Sequence, residues 1–119
     1  MKIERGDIFF ADLSPVLGSE VGGMRYVVVI QNNELNDEAS SNGGTVIVAP
    51  LSSNNAEVES RNATATVDVD IPELPLFSYK ILLYEIRSID TKRLKSHIGR
   101  LSDETMTEFD QKLKYALGL

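Results

Sequence analysis

The sequence predicts a mostly β fold of the α+β class: a small antiparallel barrel or half-barrel with one C-terminal helix. Three observations predict it. Short apolar runs recur along the chain, each bounded by turn residues, which is the pattern of short strands in a barrel. Residues 64–70 alternate with period two, placing Thr64, Thr66, Asp68 and Asp70 on one side and Ala65, Val67 and Val69 on the other. The final segment changes to helical spacing, with Met106, Phe109, Leu113, Ala116 and Leu117 on one stripe.

Taken in order, residues 7–13 form a first strand, stopped by the turn pair Ser14-Pro15. Residues 25–31 form a second, whose unbroken Val27-Val28-Val29-Ile30 run requires burial on both faces. A polar, mobile loop over 32–44 leads to a third strand at 45–51. The alternating strand at 64–70 is half exposed. Pro72 and Pro75 break the chain before a late strand at about 80–88, and a short helical turn is expected near 91–96. The closing helix starts at the N-cap Ser102, has Asp103 and Glu104 at the positive end of its dipole, and stops at Gly118.

The 119 residues suffice for one domain with a modest core, and the apolar (42%) and charged (25%) fractions are those of globular proteins. No apolar run reaches the length of a membrane span, and Met1-Lys2-Ile3-Glu4 does not open a signal peptide, so a cytoplasmic protein without membrane association is expected. There is no cysteine and one histidine, His97, which excludes a thiol nucleophile, a thiolate metal site and the usual His clusters for zinc. No metal or cofactor is expected. The formal net charge is −6, but it is unevenly spread. Residues 1–79 carry a net −8 and residues 80–100 a net +4, through Lys80, Arg87, Lys92, Arg93, Lys95 and Arg100 against Glu85 and Asp90. That stretch is either a solvated face or a locally positive field. Any RNA affinity is expected to be weak and salt-sensitive.

The most informative stretch is Gly18-Ser19-Glu20-Val21-Gly22-Gly23-Met24-Arg25, running straight into Tyr26-Val27-Val28-Val29-Ile30-Gln31-Asn32. Gly22 and Gly23 allow positive φ or a close approach to a ligand. The arginine that follows is carried into a strand, where its planar fork of donors suits a phosphate oxygen. Taken by itself, the same pattern also describes a hairpin with a surface arginine.

With Arg5-Gly6-Asp7-Ile8-Phe9-Phe10-Ala11-Asp12-Leu13-Ser14-Pro15 before it, the stretch resembles the MazF/PemK family of toxin endoribonucleases. Two more blocks match: Thr45-Val46-Ile47-Val48-Ala49-Pro50-Leu51-Ser52-Ser53, and Ile81-Leu82-Leu83-Tyr84-Glu85-Ile86-Arg87-Ser88-Ile89-Asp90. The tail from Leu101 to Leu119 matches the closing helix. The resemblance spans nearly the whole chain in order and is weakest at 33–44 and 54–77. It implies an SH3-like barrel of the CcdB/PemK type.

It also implies a metal-independent endoribonuclease acting on single-stranded mRNA, with 2′,3′-cyclic phosphate and 5′-hydroxyl products. Arg25 matches the family's catalytic arginine. Because guanidinium holds its proton in proteins, its role is charge stabilisation at the phosphate. Ser52 stands where the family carries a catalytic threonine; the hydroxyl is kept and the methyl that restricts χ1 is lost. Glu20 matches the family's glutamate, as a proton acceptor or a partner of Arg25. Gly22, Gly23, Ser53 and Arg87 are the expected RNA contacts. Pro50, Val21, Tyr26 and Glu85 depart from the family's common residues, and a carboxylate at Glu85 prefers a donor edge such as cytosine N4. His97 matches no family motif and is read as a surface residue.

The family implies a homodimer and a cognate antitoxin whose disordered tail covers the RNA groove. Two alternatives stay open: a CcdB-like gyrase poison, which cuts nothing, and an antitoxin-binding member with weak catalysis. Against the first stand the retained Arg25, the hydroxyl at Ser52 and the absence of tryptophan.

Overall fold

Strand β1 (Asp7–Asp12) and β2 (Met24–Val29) form an antiparallel hairpin in which Asp12 lies opposite Met24. The computed structural model describes residues 1–14, 22–53 and 64–119. Helix α1 (Asn33–Asn42) follows, then β3 (Thr45–Ser53), β4 (Thr66–Asp70), β5 (Ser78–Leu82), β6 (Arg87–Asp90), β7 (Leu94–Arg100) and helix α2 (Asp103–Leu117). The strand order is β4-β5-β3-β2-β1-β7, with β6 also paired to β3, and every pairing is antiparallel. This is the expected mostly β architecture with a C-terminal helix. The path of strands is open, so the sheet is the half-barrel and not a closed barrel.

Two apolar clusters explain the arrangement. On one face Ile8, Val28, Ala49, Leu51, Val67 and Ile81 pack with Phe109 of α2, which is fully buried. On the other, Phe9, Val27, Val29, Val46, Val48 and Ile89 pack with Ala39 of α1. The Val-Val-Val run of β2 is therefore buried on both faces, as its composition requires. Of the predicted stripe on α2, Phe109 is buried and Met106, Leu113 and Ala116 are partly so, but Leu117 is exposed. Ser102 caps α2 by accepting from the Thr105 amide at 3.1 Å, and Gly118 ends it with φ 72°.

Three expectations need correction. The polar loop over 32–44 contains α1, capped by Asn32 Oδ1, which accepts from the Leu35 amide at 3.0 Å. Its face toward the sheet is polar: the buried residues are Ala39 and Asn36, and Asn36 is satisfied by exchanging hydrogen bonds with Gln31. Periodicity of apolar residues could not reveal such a helix. The late strand at 80–88 is two strands. A 3-10 turn, Leu83–Glu85, separates β5 from β6, and the register against β3 slips by that three-residue length. Beyond a second 3-10 turn at Thr91–Arg93 lies β7, a strand that the polar sequence Lys95-Ser96-His97 conceals. It pairs with β1 only, with two register shifts.

Candidate active site

The cleft is built where β2 and β3 run together. The ladder between them ends with Val27 opposite Pro50, and Arg25 and Ser52 each lie two residues beyond that last pair, on β2 and β3. Both residues are half-buried, and both line an open cleft of about 420 Å³ with Met24, Tyr26, Leu51, Ser53, Leu76 and Tyr79. Pro50 falls between the stretch of β3 paired with β6 and the stretch paired with β5, where a missing N–H costs least.

The double glycine acts as predicted at one of its two positions. Gly23 has φ 74°, while Gly22 contributes its carbonyl, which accepts from Arg25 Nε at 3.1 Å. The guanidinium is thereby tied to its own turn through Nε. Ser52 lies opposite Lys80 of β5, whose ammonium pairs with Asp68 at 2.8 Å, and Ser53 lies opposite Tyr79. The cleft is lined by the phosphate-type donors Arg25, Ser52 and Ser53 together with Met24, Leu76 and the rings of Tyr26 and Tyr79, which lie edge-on at 6.1 Å. Tyr79 Oη accepts from the Leu76 amide at 3.2 Å, which ties those two lining residues together. Phe77, next to Leu76, is half-exposed at φ 62°, the left-handed region that non-glycine residues seldom occupy.

Among the sequence-predicted residues, the fold brings Arg25, Ser52 and Ser53 into the cleft, with Gly22 and Gly23 at its edge. Arg87 is not among the cleft's lining residues. It lies on β6 opposite Val48, and its Nη1 donates to the Leu13 carbonyl at 3.4 Å. Glu20 lies outside the described residues. Tyr26 and Tyr79 are the lining residues least visible beforehand, because they come from two strands separated by half the chain. Tyr26 was singled out only as a departure from the family's common residue, and Tyr79 lies in no motif block.

His97 sits at the far end of β1, half-exposed, with Nε2 3.3 Å from Asp7 Oδ1. Asp7 is buried and also accepts from the Glu4 amide at 2.8 Å and from Arg100 Nε at 3.2 Å. Burial pushes the Asp7 carboxyl above its ordinary 3.8, against the downward pull of His97 and Lys2. The Arg5-Gly6-Asp7 motif is thus a fold anchor. Arg5 donates to the Ile30 carbonyl at 2.9 Å and pairs with Asp110 of α2 at 2.7 Å.

An open antiparallel sheet with a C-terminal helix, whose cleft is lined by an arginine and a serine from adjacent strands, defines the class as a small mostly β half-barrel domain. Residues 4–117 match the PemK-like, MazF-like toxin of type II toxin–antitoxin systems, and the chain belongs to that family. It is 39% identical over 120 aligned positions to the endoribonuclease EndoA of Bacillus subtilis (strain 168), covering all of this chain and 97% of that protein. Its fold is similar to that of MazF from Deinococcus radiodurans (TM-score 0.78, 19% identity, covering 100% of this chain and 99% of that one). It is also similar to a mycobacterial endoribonuclease in complex with its cognate antitoxin (TM-score 0.71, 20% identity, 98% and 96% coverage).

Proposed function

We propose that this chain is the endoribonuclease toxin of a type II toxin–antitoxin pair, cutting single-stranded mRNA without a metal at the Arg25–Ser52 cleft. The observation that carries the reading is that Arg25 of β2 and Ser52 of β3 line one cleft with Tyr26 and Tyr79. A cleft that offers both anion-type donors and aromatic rings suits a nucleotide, whose phosphate calls for the first and whose base for the second. In the reaction, the ribose 2′-oxygen attacks phosphorus as the P–O5′ bond breaks. The 2′-hydroxyl proton leaves to a base, and the departing 5′-oxygen gains one. Arg25 stabilises the charge that develops on the non-bridging oxygens, and Ser52 donates a hydrogen bond to the same group. Ser53, Gly22 and Gly23 flank the bound strand. Glu20 is the proposed acceptor or orienting partner.

The proposal includes a homodimer in the cytoplasm, inhibited by an antitoxin whose disordered tail occupies the cleft. Among the described residues no helix is long and apolar enough to cross a membrane. Two similar structures, MazE–MazF from Deinococcus radiodurans and the mycobacterial complex, hold a toxin with its antitoxin.

The test incubates purified protein with EDTA and a long unstructured RNA and maps new 5′ ends for wild type and Arg25→Ala. Cleavage at one short motif, lost in the variant, is the expected result. Absence of cleavage by folded wild type would overturn the reading and turn attention to gyrase inhibition.

A further inference from the structure

We propose that Arg93, together with Arg87, is a positioning residue that fastens one side of the turn whose other side carries Arg25. The inference rests on the role given to Arg25 above. Three consecutive carbonyls at the end of β1 each accept from an arginine distant in sequence. Arg93 Nη1 donates to the Asp12 carbonyl at 3.1 Å and to the Ser14 carbonyl, and Arg87 Nη1 donates to the Leu13 carbonyl at 3.4 Å. Bonds from a guanidinium are charge-assisted and stronger than the water contacts such carbonyls otherwise make. They act where the hairpin is weakest. The β1–β2 ladder ends at Asp12 opposite Met24, and beyond it the Leu13 amide donates to the Gly23 carbonyl at 2.9 Å. Next to Gly23, the Gly22 carbonyl holds Arg25 Nε.

The contacts therefore run without a gap from β6 and the 3-10 turn at Thr91–Arg93, through 12–14, to Gly23, Gly22 and the guanidinium of Arg25. Arg93 is half-buried, and Arg87 lies on β6 paired to the rigid β3, so the fastening point is fixed by the sheet. A guanidinium can serve two carbonyls at once because its donors fork in one plane. An ammonium at the same place serves one well and the other poorly. A shift of about 1 Å at Gly22 displaces Arg25 from the phosphate, and misplacement on that scale costs about a hundredfold in rate.

The experiment measures amide exchange by NMR and RNA cleavage kinetics on the full chain with Arg93→Ala, Arg93→Lys and, as a control of equal charge loss, Lys92→Ala. Lys92 has an exposed side chain on the same 3-10 turn. In Arg93→Ala, exchange at Leu13 should accelerate about tenfold, the loss of one charge-assisted bond, while Val28 in the core keeps wild-type protection. In the same variant kcat should fall about tenfold or more with a smaller rise in KM, because a displaced Arg25 keeps its charge near the bound strand but no longer meets the charge that develops in the transition state. Arg93→Lys should lie between, and Lys92→Ala should match wild type. Unchanged exchange at Leu13 overturns the proposal, as does a raised KM at constant kcat, which would make Arg93 a direct RNA contact. If wild type cuts no RNA, the functional reading fails, and exchange at Leu13 alone decides the clamp. If Arg93→Ala fails to fold, Arg93→Lys decides by the same two readouts.

Discussion

Ser52 carries the sharpest consequence of a single side chain. Its hydroxyl stands on β3 in the cleft that Arg25 also lines, but serine has three accessible χ1 wells where threonine has fewer. Ser52→Ala should lower kcat by about 10²–10³, the cost of one donor aimed at developing charge, with little change in melting temperature. Ser52→Thr should retain wild-type kcat or exceed it, and single-turnover cleavage of one defined RNA compares all three. Equal rates for wild type and Ser52→Ala would remove the residue from the mechanism. Asp7 gives a pH prediction. Its folded-state pKa is raised above 3.8 by burial, so the native state binds the proton more tightly than the unfolded chain. Its stabilising contribution is complete below 3.8 and is lost as pH rises through the folded value. Asp7→Asn imitates the protonated form. Its melting temperature relative to wild type should therefore be more favourable at neutral pH than at pH values below 3.8, measured by calorimetry across the range. At this scale, the residues legible in the sequence were those inside contiguous motifs, Gly22, Gly23, Arg25, Ser52 and Ser53. Arg87 was legible as a motif residue, but its carbonyl partner at Leu13 depends on a tertiary contact across most of the chain. Arg93 had no motif, and nothing in its neighbours distinguished it from Lys92.

Elements were legible where apolar residues set the period and illegible where polar residues did the packing. The β2 run and the α2 stripe were readable because burying valines or Phe109 leaves a pattern. Helix α1 meets the sheet through Asn36, fully buried, whose Nδ2 donates to the Gln31 carbonyl at 2.8 Å and whose Oδ1 accepts from Gln31 Nε2 at 3.1 Å. Its boundary signals were nevertheless present in Asn32 and Gly43, a cap and a stop with ten residues between them and a glutamate in the first turn. The packing implies that Asn36→Ala destabilises the protein by about 1–3 kcal/mol, since it strands the buried amide of Gln31 without a partner. Replacing the cap in Asn32→Ala should cost about 1 kcal/mol. Both are read from urea unfolding, and an Asn36→Ala variant as stable as wild type would show that water replaces the lost bonds. The break between β5 and β6 was hidden for another reason. Leu82 and Leu83 are both buried, so the apolar pattern continues straight across the point where the backbone leaves the strand.

At the scale of the whole molecule, the basic stretch at 80–100 is only partly neutralised. Lys80 pairs with Asp68 and Arg100 with Asp7 and Glu4, while Arg87 and Arg93 donate to carbonyls of 12–14 and Lys95 to the Lys92 carbonyl, contacts that fix the side chains and leave their charge. In a chain of net charge −6, these fixed cations and the placed donors of the cleft are what an RNA strand meets. The tyrosines that line the cleft add stacking to that attraction. That division has a measurable consequence, because single-stranded binding loses affinity with a log–log salt slope of about −0.7 for each phosphate neutralised. If Arg25 and one further cation engage about two phosphates, the slope is about −1.4, and raising salt fourfold weakens binding about sevenfold. The measurement uses an uncleavable RNA with a 2′-deoxy nucleotide at the mapped site, titrated by anisotropy at several salt concentrations. Arg25→Ala should flatten the slope by about 0.7, whereas Tyr26→Ala should weaken affinity at every salt concentration and leave the slope alone. A wild-type slope steeper than about −4 would mean that six or more phosphates are neutralised, well beyond Arg25 and one further cation. Such a slope would bring in the other cations of 80–100 or those of a second subunit along the same strand, and analytical ultracentrifugation at the titration concentration would separate the two.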